Sequence, residues 1–258
     1  MPRSACFVRR PALAFALVIV TAPAGAWNLA CLHSAERSTS LDTTGATRII
    51  VNARAGDLEV GPASGTVATA HGKACTSSEA YLEKTNVVAH READAVVIDV
   101  QVPDELAGFG PRYASLDLHV AVPATLPVEL NDSSGDIQAR DVSIVKVTDS
   151  SGDMMLQGLK TDVEIRDSSG DVRIENAAGD VQIRDSSGDI VVHGAKDVVI
   201  PIDSSGDIDI EQISGDVRID QDSSGDIRIA DVGHDVTVGG DSSGEVKVSR
   251  VKGNVKLP

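Results

Sequence analysis

Short segments in which apolar and polar residues strictly alternate recur at regular intervals between residues 131 and 258. One such segment is Asp171–Ile174, and nine residues later Asp180–Ile183 alternates in the same way. Alternation with a period of two turns successive side chains to opposite faces of an extended strand. The pattern therefore predicts two short β-strands in every repeat, each with one apolar and one polar face.

The apolar faces form a continuous series in the first strand of each pair. Its inward positions are Ile137, Met154, Val172, Ile190, Ile208, Ile227 and Val246. The outward positions beside them are Gln138, Met155, Arg173, Val191, Asp209, Arg228 and Lys247. A single coil cannot bury its own apolar strip, so the coils must stack, with strands about 4.8 Å apart. This predicts an all-β fold, a parallel β-helix (β-solenoid) with coils of about 18 residues.

The turn that introduces each first strand has a fixed sequence, Asp-Ser-Ser-Gly. It begins at Asp132, Asp149, Asp167, Asp185, Asp203, Asp222 and Asp241, with steps of 17, 18, 18, 18, 19 and 19 residues. The next residue is Asp six times and Glu245 in the last copy. Glycine can adopt positive φ without a steric clash, and Asp and Ser side chains can bond backbone amides at a sharp corner. Valine in place of Gly188 should therefore strain the corner.

Residues 27–130 lack this repeat. They contain strand-like segments and one helix-like segment, at Thr47–Val51, Val96–Val100, Leu116–Val120 and Ser77–Lys84. We interpret residues 27–130 as an irregular β region, either degenerate opening coils or an N-terminal β cap, because an open end leaves backbone groups unpaired. Residues 131–258 then make up the DSSGD-repeat β-solenoid.

The first 26 residues have the features of a secretory signal peptide. They comprise a basic head (Arg3, Arg9, Arg10), an apolar run (Ala12–Ala22) and small residues at the cleavage point (Ala24–Ala26). The apolar run is too short for a transmembrane helix, and no other long apolar run follows it. We expect residues 1–26 to be removed and the mature chain to be exported to the periplasm, the outer surface or the medium, without a transmembrane segment.

The chain is acidic, with a formal net charge of −16. Such a surface repels nucleic acids and anionic lipid headgroups and favours cations, basic partners or simply solubility. The last coil is an exception, because it carries Lys247, Arg250, Lys252 and Lys256 against one acid. We interpret these cations as protection of the edge against end-to-end pairing, with docking on an acidic partner as the alternative.

The cysteines are few and informative. Cys6 would leave with the signal peptide, so Cys31 and Cys75 remain as an even pair in an oxidising compartment. We predict a Cys31–Cys75 disulfide. The alternative is a lipoprotein acylated at Cys31, although Asn28 stands where a lipidation site has an aliphatic residue.

A signal peptide, an irregular β region and repeated Ser-Gly-Asp-(Ile/Val)-x-(Ile/Val) coils together resemble a known family. Over about residues 45–258 the chain is similar to the bacterial adhesin-like proteins of the DUF4097/DUF2807 type, the auto-transporter adhesin head domain type. The resemblance implies a right-handed parallel β-helix and supplies no established catalytic residues. It indicates the fold more specifically than the activity, because one fold hosts many functions.

Stacking of the corners would place acidic residues in two ladders. One ladder is Asp132, Asp149, Asp167, Asp185, Asp203, Asp222 and Asp241, and the other is Asp136, Asp153, Asp171, Asp189, Asp207, Asp226 and Glu245. Like charges about 5 Å apart repel by about 1 kcal/mol even in water. Backbone amides at the corner could offset this repulsion, and so could Ca²⁺, which prefers several carboxylate oxygens. We interpret the aspartates as turn caps and expect no cofactor, with Ca²⁺ on the first six members of each ladder as the alternative.

Catalysis is not favoured by this pattern. Ser beside Asp suggests a nucleophile, but an active site occurs once, whereas this pair occurs seven times, and there is no Gly-x-Ser-x-Gly elbow. A polysaccharide-active β-helix enzyme is the alternative, but only Tyr81, Phe109 and Tyr113 could line its groove, and a core or cap role suits them better. We predict a non-catalytic, adhesin-like structural or binding protein of the cell envelope, with a surface, glycan or protein ligand.

Overall fold

The computed structural model describes residues 31–103 and 112–258, and Cys31–Pro258 form one compact unit. In chain order the strands are β1 (His33–Asp42), β2 (Arg48–Asn52), β3 (Leu58–Ala63), β4 (Val67–Thr76), β5 (Asn86–Glu92), β6 (Ala95–Gln101), β7 (Ala114–Pro123), β8 (Pro127–Asn131), β9 (Ile137–Arg140), β10 (Ser143–Thr148), β11 (Met154–Gln157), β12 (Val163–Arg166), β13 (Val172–Glu175), β14 (Val181–Arg184), β15 (Ile190–Ala195), β16 (Val198–Ile202), β17 (Ile208–Ile213), β18 (Val217–Ile219), β19 (Ile227–Val232), β20 (Val236–Val238), β21 (Val246–Val251) and β22 (Val255–Lys256). One short helix, α1 (Glu79–Leu82), lies between β4 and β5. The predicted signal peptide (1–26) and Phe109 lie outside the described residues.

The strands form two sheets of eleven strands each. Sheet A has the order β1-β4-β7-β3-β9-β11-β13-β15-β17-β19-β21, and sheet B has the order β22-β20-β18-β16-β14-β12-β10-β8-β2-β6-β5. From β8 onward each coil contributes one strand to each sheet, and neighbouring coils pair in parallel. Met154, for example, pairs with Ile137 on one side and with Val172 on the other. The predicted all-β parallel β-solenoid is therefore confirmed, whereas its right-handed sense stays a prediction.

The core between the two sheets is aliphatic. Its fully buried side chains include Val172, Ile190 and Ile208 from sheet A and Ile165, Ile183 and Ile200 from sheet B. In-register parallel pairing stacks equivalent side chains from coil to coil, and burial of each is worth roughly 1.5–3 kcal/mol relative to exposure. Among the described residues, no helix is long and apolar enough to cross a bilayer.

The order of the first coils in space differs from their order in the sequence. β2 pairs in parallel with β6 on one side and β8 on the other, and β3 pairs likewise with β7 and β9. The β2–β3 coil therefore lies between the β6–β7 coil and the first repeat coil, β8–β9. The irregular β region thus contributes two coils to the parallel stack in addition to capping strands.

Antiparallel strands cap the N-terminal end of the stack. In sheet A, β4 pairs antiparallel with β7 and with β1, and in sheet B, β5 pairs antiparallel with β6. Helix α1 lies beside them and begins after Ser78, whose hydroxyl oxygen accepts the N–H of Tyr81. It is shorter than the helix-like segment of the sequence, because the N-cap residue Ser78 has an extended backbone and the N–H of Ser77 donates to the carbonyl oxygen of Tyr113.

The predicted disulfide is confirmed. Cys31 and Cys75 are bonded, with their Cα atoms 5.3 Å apart, and the bond joins the start of β1 to β4. A sulfur atom in a disulfide cannot also carry a thioether-linked lipid, so this structure disagrees with the lipoprotein alternative. The covalent link instead closes the antiparallel cap of sheet A.

The opposite end of the stack is more exposed. Val255 and Leu257 are 47% and 43% exposed, and β21 alternates between partly buried and exposed residues. Two of its cations are paired within the chain, because Lys247 Nζ lies 2.6 Å from Glu245 and Arg250 binds Asp231. These pairs reduce the positive charge available to an acidic partner and fit the interpretation of edge protection, which stays a prediction.

Candidate functional site

The Asp-Ser-Ser-Gly-Asp corners repeat one backbone conformation on successive coils. From Gly135 to Gly244 the corner glycine has φ between 121° and 146°. A Cβ added at Gly188 would overlap the carbonyl oxygen of Gly170 on the preceding coil. The expected role of glycine is confirmed, since only glycine suits both this φ and this close approach.

The leading aspartates of the corners point into the protein. We call Asp132, Asp149, Asp167, Asp185, Asp203 and Asp222 the inner aspartates. Each is at most 5% exposed. In the central corners the Oδ1 atom accepts the N–H of the following serine, at 2.7 Å for Ser168 and 2.6 Å for Ser186. These contacts cap the turn, as an aspartate at this position can do.

The second carboxylate oxygen of every inner aspartate is buried and makes no hydrogen bond within the described protein. A buried charge without a partner is costly, so burial favours the protonated form. Burial raises the pKa of Asp132 and of Asp167 to about 6 and that of Asp203 to about 7, and the negative charges of neighbouring aspartates add to the effect. Burial also raises the pKa of Asp149, Asp185 and Asp222.

The trailing aspartates of the corners have a different role. We call Asp136, Asp153, Asp171, Asp189, Asp207 and Asp226 the outer aspartates. Each accepts, through Oδ1, the backbone N–H of its counterpart on the next coil, as in the 2.9 Å bond from Asp189 to Asp171. These carboxylates link neighbouring coils while one oxygen remains available to solvent. The hydrogen bonds that they accept from backbone N–H groups offset the electrostatic repulsion between carboxylates of the ladder.

A second set of linking aspartates lies at the other turn of each coil. The Oδ1 atom of Asp162 accepts the backbone N–H of Asp180 on the next coil. The same hydrogen bond to the next coil is made by Asp197, Asp216 and Asp235. The sequence carries a signal for this set, because most second strands begin with aspartate. The linking role of these residues is nevertheless visible only once the coils are stacked.

The twelve aspartates considered as Ca²⁺ ligands do not converge on shared coordination sites in the structure. In the described part of the chain, no group of three or more His, Cys, Asp or Glu side chains is arranged to hold a metal ion. One oxygen of the outer aspartates, and of most inner ones, already accepts backbone amides. Calcium binding therefore stays a hypothesis for titration.

The outward side of sheet A carries a row of side chains across ten strands, which we call the sheet A row. Its members are His71, His119, Glu59, Gln138, Met155, Arg173, Val191, Asp209, Arg228 and Lys247. Successive members stand on strands about 4.8 Å apart. The repeat part of this row follows from the sequence, whereas its first three members do not.

Four charged or titratable side chains cluster at the capped end of the sheet A row. His119 Nδ1 lies 2.7 Å from Glu59, and the Arg140 guanidinium binds the other oxygen of the same carboxylate. The rings of His71 and His119 stack with centroids 5.3 Å apart. A shallow groove beside them is lined by Glu59, Arg140 and Met155. Sequence reasoning missed this cluster because its members come from four strands whose spatial order the sequence does not reveal.

The aromatic residues of the cap region hold the cap together. The Tyr113 hydroxyl accepts the N–H of Leu32 at 3.1 Å, and the Tyr113 carbonyl accepts the N–H of Ser77. Tyr81 lies in α1 and bonds Ser78. These contacts agree with the cap role preferred for Tyr81 and Tyr113, while Phe109 lies outside the described residues.

The architecture defines a capped parallel β-solenoid with a periodic outward face. The family model described as Toastrack DUF4097 matches residues 32–258, so the chain belongs to this family. This confirms the resemblance inferred from the repeat. The chain has no match among curated proteins.

Solved structures with the same fold include proteins from Bacteroides fragilis and Parabacteroides distasonis. A candidate adhesin from Bacteroides fragilis is 12% identical, with a TM-score of 0.52, over 87% of this chain and 97% of that chain. A candidate lipid-binding protein from Parabacteroides distasonis is 15% identical, with a TM-score of 0.52, over 86% of this chain and 97% of that chain. At these identities the similarity shows the fold alone.

Proposed function

We propose that this protein is an exported, non-catalytic, adhesin-like β-solenoid that binds a ligand of the cell envelope or of another surface through the outward side of sheet A. The observation that carries the proposal is the sheet A row. It presents charged, polar and apolar side chains at a fixed spacing on a stiff support, which suits an extended or repetitive ligand such as a glycan or a protein surface.

Family membership and the adhesin named among the structural neighbours support a binding role. The candidate secretory signal in residues 1–26 supports export. It can be tested by fusing residues 1–30 to an alkaline phosphatase that is active only after export. Phosphatase activity is expected, and its loss when the apolar run Ala12–Ala22 is interrupted by charged residues serves as the control.

An enzyme that acts on polysaccharides fits the residues less well. No Phe, Tyr or Trp follows Tyr113, so the repeat coils offer no large aromatic ring on which a sugar could stack. Glu59, a carboxylate in the groove of sheet A, is held between His119 and Arg140. Such a fixed ion pair is suited to recognition.

Binding can be tested with the protein purified from expression of the full chain. The test variant carries Arg173→Glu and Arg228→Glu on the outward side of sheet A. The matched control carries Arg184→Glu and Arg218→Glu on sheet B. All four side chains are 40–63% exposed and take part in surface ion pairs, so the two variants change charge equally.

The probes are an immobilised glycan array, purified peptidoglycan, and zwitterionic and anionic lipid vesicles. We expect saturable binding to a glycan or to peptidoglycan, weakened at least about tenfold in the sheet A variant and kept in the sheet B variant. The proposal would be refuted by no saturable binding to any probe, or by equal losses in the two variants. Binding to vesicles alone would favour the lipid-binding role named for the Parabacteroides distasonis neighbour.

A further inference from the structure

The six inner aspartates form one column in the interior of the stack. Each lies directly above its counterpart on the preceding coil, because the coils pair in register at about 4.8 Å. All six are nearly or completely inaccessible to solvent, and each has a second carboxylate oxygen without a hydrogen-bond partner. Six buried oxygen atoms in a row require a donor, and the corner amides do not supply it.

The charged groups around this column are mostly acidic. The outer aspartates face it from the same corners, with Asp57 at the first corner and Asp241 at the last. The strands of sheet B that lead into the corners end in Arg166 and Arg184, whose guanidinium groups bind Glu164 on the outside. Arg54 belongs to the exposed part of the first corner. The neighbouring charges that raise the pKa of the inner aspartates belong to other aspartates, such as Asp185 and Asp222 beside Asp203.

We propose that the inner aspartates form a proton-binding column, in which a protonated carboxyl on one coil donates its O–H to the carboxylate on the next. Protons come from solvent, and each one taken up removes one negative charge. When protonated and ionised members alternate along the column, the second carboxylate oxygen of each aspartate either donates or accepts a hydrogen bond. The column then adds a hydrogen-bonded ladder along the stack axis, beside the backbone ladders of the two sheets.

The raised pKa values of the column agree with this arrangement. Burial raises the pKa of all six inner aspartates, to about 6 for Asp132 and Asp167 and to about 7 for Asp203. Neighbouring carboxyl groups whose pKa values are raised together titrate as coupled sites. Because the folded-state pKa values lie above the usual 3.8, the folded protein binds more protons than the unfolded chain between about pH 4 and 7. The stabilisation is complete below pH 4 and is lost as the pH rises through 6 and 7.

The test compares two aspartates of the same corners. The inner variant carries Asp167→Asn and Asp203→Asn, and the control carries Asp171→Asn and Asp207→Asn at the outer positions. Both variants replace two carboxyl groups in the same turns. An inner asparagine donates an amide N–H to its neighbour without needing a proton, whereas an outer asparagine keeps the Oδ1 acceptor for the next coil.

Melting temperatures are measured from pH 5 to pH 9 in EDTA. We expect the melting temperature of the wild type to fall by at least about 3 °C between pH 5 and pH 8. This fall is counted in addition to any change caused by titration of carboxylates in the unfolded chain. The outer variant should keep this slope, and the inner variant should lose most of it and melt higher than the wild type at pH 8. An unchanged slope in a folded inner variant would overturn the proposal.

A second measurement needs no variant. Infrared difference spectroscopy of the wild type at pH 6 in EDTA should show the carbonyl stretch of protonated carboxylic acids, and its absence would also overturn the proposal. A cation is the alternative occupant of the column. If millimolar Ca²⁺ raised the melting temperature of the EDTA-treated wild type, but not of the inner variant, the column would be neutralised by metal ions and the proton proposal would be wrong.

Discussion

The corner of the β2–β3 coil and the corners of the repeat coils make the same turn with different residues. Ala53-Arg54-Ala55-Gly56-Asp57 stacks in register on Asp132–Asp136, since Gly56 N–H donates to Ser134 and Leu58 N–H donates to Asp136. Gly56 has φ of 111°, and Asp57 Oδ1 accepts the N–H of Asp136. Ala53, which is 7% exposed, occupies the position of the inner aspartate.

This difference separates two functions within one five-residue motif. Glycine and the outer aspartate suffice for a stacked corner, because the β2–β3 coil keeps only these two. The turn therefore does not require the inner aspartate. Burial of its carboxylate is unfavourable as well, because desolvation opposes ionisation. Its presence on six successive coils needs another explanation, and the shared proton gives one. Substitutions in both kinds of corner, and in the cap beside them, can test this distinction.

The largest effect is expected for the residue that both kinds of corner share. Gly188→Val places a Cβ on a residue with φ of 135°, against the backbone of the preceding coil. We expect a loss of more than about 4 kcal/mol in the free energy of unfolding, measured by urea denaturation. Gly61→Val is the control, because a Cβ there meets no atom within 4 Å. Equal losses in the two variants would show that the corner does not require glycine.

The second effect concerns the cap that covers the β6–β7 coil. Replacing Cys31 and Cys75 by serine removes a link between residues separated by 44 positions, worth about 3–4 kcal/mol in the chain-entropy model. Hydrogen exchange should show faster exchange in β1 and β4 and unchanged protection in β13 and β15. Chemical reduction of the wild type provides the matched control. Uniformly faster exchange in all strands would mean that cap and repeats unfold as one unit.

The third effect extends the column of inner aspartates by one coil. Ala53→Asp adds a seventh buried carboxyl beside Asp132, without the two serines of the repeat corners. We expect a loss of about 1–2 kcal/mol at pH 8 and a smaller loss at pH 5, where the added group is protonated. Ala53→Asn, of similar volume and without a charge, should show no such pH dependence. A loss that is the same at both pH values would mean that size rather than charge decides this position.

The repeat coils were predictable in detail because every determinant is local. The alternation of Val172–Glu175, the spacing of the corners and the glycine φ all follow from residues within one period. The spatial order of the first coils was not predictable, because the insertion of β2–β3 between β6–β7 and β8–β9 is decided by long-range pairing. The cluster of His71, His119 and Glu59 depends on that order. The sequence also indicated an aspartate ladder, but the burial of one ladder and the exposure of the other required the three-dimensional corner.

The smallest effect tests the outer half of the motif. Asp189→Ala removes the carboxylate that accepts the N–H of Asp207 at 2.8 Å and leaves this amide at an exposed corner, where water can replace the lost acceptor. We expect a loss of about 1 kcal/mol in the free energy of unfolding, with the same value at pH 5 and at pH 8. Asp189→Asn keeps an acceptor oxygen and should lose less. If Asp189→Ala instead changed the pH dependence as strongly as a substitution of Asp185, protons would be distributed over both ladders, and the distinction between inner and outer aspartates would fail.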